Sequence, residues 1–211
     1  MVPHECLGCG CEGTLICTDC VSSLSAIPGR CYRCRKISIG SLTCHNCRKQ
    51  SRLKRVSVVT IYDGIAKDLV WKLKFSGAQA AAKNIAIIMN QQIEISREML
   101  IVPVPTATSR VRKRGYDQAW LIARELSKLS GLKYANCLAR VNQTHQVGAG
   151  RSQRLKQLTN AFRVTKPSLT KSAFILLIDD VITTGATLES AAKTLRLAGA
   201  KQIDALVFAQ P

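Results

Sequence analysis

Four short apolar runs punctuate the chain: "VSVVTIY" at 56–62, "MLIVPVP" at 99–105, "AFILLID" at 173–179 and "QIDALVFA" at 202–209. Their length and β-branched content predict strands. Between them, apolar residues recur at helical spacing in "GIAKDLVWKLKFSG" (64–77), "AQAAAKNIAIIMNQQI" (78–93), "YDQAWLIARELSKLSG" (116–131) and "TLESAAKTLRLAGA" (187–200). Gly77 and Gly131 stand where helices often close. Strands alternating with helices predict an α/β domain with a mostly parallel sheet. No apolar run approaches the ~20 residues of a membrane span. With no basic, then apolar, leader at the start, the expectation is a cytoplasmic protein without membrane insertion.

The first fifty residues lack this patterning and hold cysteines instead. Nine of the ten cysteines lie before residue 48, and eight form C-x-x-C pairs: Cys6/Cys9, Cys17/Cys20, Cys31/Cys34 and Cys44/Cys47. In a reducing compartment, clustered cysteines point to metal rather than disulfides. Two such knuckles close one tetrahedral shell, so eight thiolates predict two structural Zn²⁺ ions. Sequential and interleaved pairing both satisfy the spacing. Cys11 and Cys137 read as plain thiols, and a complete set of eight makes His4 and His45 unnecessary as ligands. Large apolar residues are scarce here, so zinc is expected to supply most of the folding energy of the segment. The predicted division is 1–50 for a double zinc ribbon and 51–211 for the α/β domain.

Charge narrows the partners. Across 211 residues, 31 Lys and Arg face 13 Asp and Glu, a formal net charge of +18. So large a bias predicts a polyanionic partner such as nucleic acid, or phosphate-rich ligands. The run "RKQSRLKR" at 48–55 supplies Arg48, Lys49, Arg52, Lys54 and Arg55 as candidate nucleic-acid contacts; Arg110–Arg114 and Arg151, Arg154 and Lys156 add two more clusters. Aromatic residues make up only 5%, so binding is expected to be led by backbone phosphates rather than by stacked bases.

The candidate chemistry lies in "FILLIDDVITTGATL". In open α/β sheets, ligands bind beyond the carboxyl ends of strands. Gly185 and Ala186 allow an anion close to the backbone, and Thr183, Thr184 and Thr187 offer hydroxyls. The following helix aims its N–H groups at the same place. Asp179 and Asp180, the candidate catalytic pair, can accept hydrogen bonds from sugar hydroxyls and hold hydrated Mg²⁺. Upstream, "VPVPTATSRVRKRG" reads as a strand opening into a loop whose Arg110, Arg112, Lys113 and Arg114 can clamp a pyrophosphate. His145 is a lone histidine in a polar loop and reads as exposed.

"LLIDDVITTGATL" resembles the phosphoribosyl-diphosphate (PRPP) binding loop of type I phosphoribosyltransferases. Together with the four cysteine knuckles, "KFSG" at 74–77, "IVPVP" at 101–105, "RKRGYDQA" at 112–119 and the segment from Arg140 to Phe162, it is similar to the ComF competence family. Gln146 and Arg154 match that family. Tyr116, Asp117, Ala149, Gln157 and Asn160 stand where Phe, Asn, Leu, Asn and Gly are commoner. The resemblance implies a type I phosphoribosyltransferase-like domain behind a double zinc ribbon, and a Mg²⁺-dependent PRPP site with the turn after Pro105 as its pyrophosphate loop. It also implies a role in DNA uptake during natural transformation, with a competence helicase or other DNA-processing proteins as partners. Two other functions fit the same residues: a nucleotide-salvage phosphoribosyltransferase with a scaffolding zinc module, and a PRPP-sensing regulatory module without turnover.

Overall fold

In the computed structural model, the described residues are 4–76, 78–91, 98–141 and 161–211. The main sheet has four parallel strands in the order β1 (Arg55–Ile61), β6 (Gln202–Gln210), β5 (Phe174–Val181) and β2 (Met99–Pro103). Both faces are covered. Helices α3 (Gly64–Phe75), α4 (Ala78–Asn90) and α6 (Gln118–Ser130) pack on one face, and α8 (Ala186–Leu197) packs on the other. A small antiparallel pair, β3 (Leu138–Arg140) with β4 (Phe162–Val164), and the short α7 (Pro167–Thr170) complete this part.

Strand alternation decides which side chain meets which layer. Leu176, Ile178, Leu206 and Phe208 join the core under α3, α4 and α6, whereas Ile175, Leu177, Ala205 and Val207 join the core under α8. A parallel sheet buried on both sides requires such near-continuous apolar strands. Continued along β5, the same alternation sends Asp180 toward α3 and Asp179 toward the opposite face. The strand runs through both carboxylates to Val181 rather than ending on them.

Helix boundaries follow local chemistry. Asp117 caps α6 by accepting a hydrogen bond from the Trp120 N–H, and Gly131 closes that helix in the left-handed conformation. Helix α3 ends at Phe75, α4 at Asn90 and β2 at Pro103. The predicted stop at Gly77 lies outside the described residues. One expectation is corrected: the basic segment after β2 is not an open loop but helix α5, Thr108–Arg114, closed by left-handed Gly115.

The cysteine segment is built from two similar units. In each, the first C-x-x-C is a turn and the second starts a short helix, α1 (Thr18–Ser22) after Cys17 and α2 (His45–Arg48) after Cys44. It is not held by its cysteines alone. Leu15 and Ile16 enter the core beside α4, and Tyr32 enters the core beside α8. The Ser25 carbonyl accepts the Ile61 N–H at 3.2 Å, and the Thr43 N–H reaches the Lys54 carbonyl at 2.9 Å. No helix among the described residues is long and apolar enough to cross a membrane.

Candidate functional site

Two four-cysteine clusters form, Cys6, Cys9, Cys17 and Cys20 in one and Cys31, Cys34, Cys44 and Cys47 in the other. The chain therefore pairs its knuckles sequentially. All sulfurs of a cluster lie within 4.8 Å of one another, and Cys9 to Cys17 and Cys34 to Cys44 measure 3.7 and 3.6 Å. Sulfurs about 2.3 Å from a central zinc stand about 3.8 Å apart in a tetrahedron, so the donor sets fit Zn²⁺. Burial works to raise the Cys6 thiol, but backbone N–H groups of Cys9, Cys17 and Gly8 outweigh it and bring it down to about 5. Cys31 is likewise brought to about 6. Such donors favour the thiolate that binds metal. Gly8 has no room for a side chain, since a Cβ there would lie 2.6 Å from the Cys20 sulfur. His4, His45 and Cys11 belong to neither cluster, and Cys137 is buried in the core under α8 with its thiol pushed up by burial.

The second site opens where β2 and β5 end side by side. A cavity of about 250 Å³ is lined by Asp179, Asp180, Thr183 and Thr187 from the β5 side, by Pro105, Thr106, Arg110, Arg114 and Gln118 from the β2 side, and by Lys74 and Arg140. Gly185 (φ 77°) is the N-cap of α8, and Thr187 in the first turn of that helix lines the cavity, whereas Thr184, Gly185 and Ala186 do not line it and the space beside Gly185 is filled by the Tyr32 ring. The Ala186 N–H donates to the Thr184 hydroxyl at 3.3 Å, which tightens the turn.

Helix α5 sorts its cations by face. Arg110 and Arg114, four residues apart, share the side that lines the cavity, while Arg112 and Lys113 are exposed and do not line it. Four cations, Lys74, Arg110, Arg114 and Arg140, thus surround two carboxylates, and the balance suits a polyanion accompanied by a metal cation. Lys74 Nζ lies 2.8 Å from the Asp180 carboxylate. Burial, then the adjacent Asp180 charge, holds the Asp179 carboxyl well above the usual carboxylate range. A bound divalent cation would relieve that repulsion. The Nη1 of Arg114 is buried without a hydrogen-bond partner among the described residues, a donor ready for an anion.

Sequence reasoning did not single out Lys74, Thr106, Gln118 or Arg140. Lys74 and Arg140 lay inside segments of the family resemblance, with no role assigned to either. Asp117 organises the loop after β2: its carboxylate accepts the Thr106 N–H at 2.7 Å while capping α6. The Tyr116 hydroxyl donates to the Leu73 carbonyl at 2.9 Å, which ties this loop to α3.

The basic run at 48–55 is divided in use. Arg48, Lys49, Arg52 and Lys54 are exposed and Arg55 is half-buried at the start of β1. Lys54 Nζ donates to the Gln202 side chain at 3.0 Å. The charges of Arg55, Lys54 and Arg48 reach buried Asp204. His145, Gln146, Ala149, Arg151, Arg154, Lys156, Gln157 and Asn160 lie outside the described residues.

No family model matches the chain. Among curated proteins it is 28% identical over 196 residues to competence protein ComFC of Streptococcus pneumoniae, covering 91% of this chain and 86% of that one. It is 28% identical to competence protein F of Haemophilus influenzae, with 92% of each chain covered. To the DNA utilization protein YhgH of Salmonella typhimurium it is 28% identical, with 89% and 87% covered. Among solved structures, the glutamine PRPP amidotransferase from B. subtilis matches with a TM-score of 0.47 and 17% identity, over 61% of this chain and 26% of that enzyme. The expected mostly parallel α/β sheet flanked by helices, with two N-terminal four-cysteine clusters, is the one observed.

Proposed function

We propose that this relative of ComFC and competence protein F acts in DNA uptake or utilisation. In this reading it binds single-stranded DNA along its basic surface, and a phosphoribosyl diphosphate-type ligand with Mg²⁺ in the cavity at the ends of β2 and β5. The observation that carries the ligand reading is the meeting, in one cavity, of the Asp179–Asp180 pair, Thr183 and Thr187 at the start of α8, and Arg110 with Arg114. The 5′-phosphate takes the Thr183–Thr187 loop and the helix N-terminus. Asp179 and Asp180 accept from the ribose hydroxyls and hold the hydrated metal, and the Arg pair meets the pyrophosphate. Mg²⁺, when bound, neutralises pyrophosphate charge. The names of the relatives and the +18 charge support the DNA arm. A competence helicase or another DNA-processing protein is the partner class that follows from it.

A second reading, a salvage phosphoribosyltransferase, is favoured by the four cations lining the cavity. They suit the transition state in which the bond from ribose C1 to pyrophosphate breaks, its electron pair leaves with pyrophosphate, and an incoming base nitrogen bonds to C1. Titration calorimetry with PRPP and with an oligonucleotide, each with and without Mg²⁺, separates the two. The competence reading expects both ligands to bind. Pyrophosphate release with a free base, beside no oligonucleotide binding, would reverse it.

A further inference from the structure

Helix α3 buries Ala66, Leu69, Val70 and Leu73 against the sheet, yet its outward face carries Trp71 and Phe75, 53% and 59% exposed. Isolated exposed apolar residues need no explanation. These two are a pair: at i and i+4 their ring centroids lie 5.6 Å apart with planes tilted by 44°. Their surroundings are charged rather than apolar, with three cations nearby and the exposed Asp68 carboxylate on the same helix. Lys67 is exposed on the same helix, Lys72 is half-exposed, and the Arg114 guanidinium carbon sits 5.2 Å from the Phe75 ring centre. Arg114 also lines the phosphate cavity and keeps an unpartnered buried nitrogen. The aromatic pair and the phosphate-seeking cavity are therefore contiguous through one side chain.

An apolar protein surface has little to gain from a patch bordered by Lys67, Asp68, Lys72 and Arg114. A duplex hides its base faces in its own stack. An unpaired strand offers what this patch matches, flat π-faces beside a phosphate every nucleotide. We propose that Trp71 and Phe75 form a stacking platform for unpaired bases of single-stranded nucleic acid, with Lys67 and Lys72 of the same helix meeting the adjoining phosphates. The proposal deepens the DNA-binding reading and rests on it. It also revises what the low aromatic content suggested: the aromatics are few, but two are placed together on the surface.

The test compares an oligo-dT with an abasic oligonucleotide of the same length, following binding by anisotropy and by intrinsic tryptophan fluorescence. The wild type is expected to prefer oligo-dT and to show quenching. Trp71→Ala with Phe75→Ala should lose about tenfold or more in affinity for oligo-dT, in keeping with the usual worth of one stacked base. It should also lose the preference over the abasic strand, while its salt dependence stays that of the wild type. Trp71→Phe keeps a ring and should keep most of the affinity while losing the quenching. The platform is overturned if the wild type binds both strands equally without quenching, or if the double alanine variant binds oligo-dT as the wild type does. Failure of the wild type to bind either strand instead overturns the DNA reading itself, and the platform with it.

Discussion

The ring of Tyr32 lies across Gly185. A Cβ at Gly185 would stand 2.8 Å from Tyr32 Cε2, so a residue between Cys31 and Cys34 sits directly on the turn that starts α8. The contact is reinforced. The Tyr32 hydroxyl donates to the Glu189 carboxylate in the first turn of α8, Ser51 Oγ reaches the same carboxylate at 2.9 Å, and the Arg52 N–H donates to it at 2.6 Å. Burial, then the Glu189 carboxylate, pushes the Tyr32 phenol up, so it stays a donor. The second cysteine cluster is thereby fastened to the candidate phosphate loop.

Loosening that fastening should loosen the loop. Tyr32→Ala is expected to weaken PRPP binding about tenfold or more, on the scale of ~1.5–3 kcal/mol for a lost hydrogen bond to a charged group, while zinc content stays unchanged. Gly185→Ala should be more damaging, because the left-handed backbone costs about 1–2 kcal/mol for a side-chain-bearing residue and the new methyl meets the Tyr32 ring. Calorimetric titration of PRPP against each variant reads both effects.

The two cysteine clusters should hold two Zn²⁺ per chain, by elemental analysis of purified protein. Cys31→Ser is expected to lower that number to about one, because Cys31 belongs to the second cluster and the first keeps all four of its ligands. Gly8→Ala should impair the first cluster alone, through the 2.6 Å approach of its Cβ to the Cys20 sulfur. An interleaved arrangement would instead have one knuckle mutation disturb ligands from both halves of the segment.

Stability should carry the mark of Asp204. Burial raises its carboxyl above the usual value, against the opposing pull of Gln202, Arg55, Lys54 and Arg48. A carboxyl raised by folding stabilises the native state while protonated, below the ordinary value of about 4, and that contribution is lost as pH rises through the folded value. Asp204→Asn is therefore expected to raise Tm relative to wild type at neutral pH, with the gap closing below about pH 4. Thermal melts of both proteins across that range check it.

Much of the framework was legible because local chemistry and tertiary structure agree. The apolar runs at 173–179 and 202–209 lie in strands β5 and β6, Gly131 closes α6, and the Asp-Asp, Thr-Gly sequence runs from a strand end into a helix start. Other features needed three dimensions. "TSRVRKR" has too little apolar periodicity to betray α5, yet that helix separates Arg110 and Arg114 from Arg112 and Lys113. Lys74 gains meaning only when strand alternation turns Asp180 toward α3. Leu15, Ile16 and Tyr32 looked too sparse to make a core because most of the core they join is supplied by the α/β domain.

DNA affinity should fall with salt, by about 0.7 in the log–log slope for each phosphate neutralised on a single strand. Replacing the exposed Arg48, Lys49 and Arg52 with Ala should flatten the slope by about 2 and weaken all sequences alike. Arg55, half-buried and facing Asp204, should cost stability when replaced. Anisotropy titrations at several salt concentrations separate these effects from loss of fold.

The most direct measurement is a calorimetric titration of PRPP into wild type and into the Asp179→Ala, Asp180→Ala double variant, each with and without Mg²⁺. Asp179 and Asp180 line the cavity at a strand end, so the variant should keep its fold and its zinc. The expected result is Mg²⁺-dependent binding by the wild type and none by the variant. Binding of PRPP by the double variant as tightly as by the wild type, or no binding by the wild type at all, would contradict the assignment of the cavity.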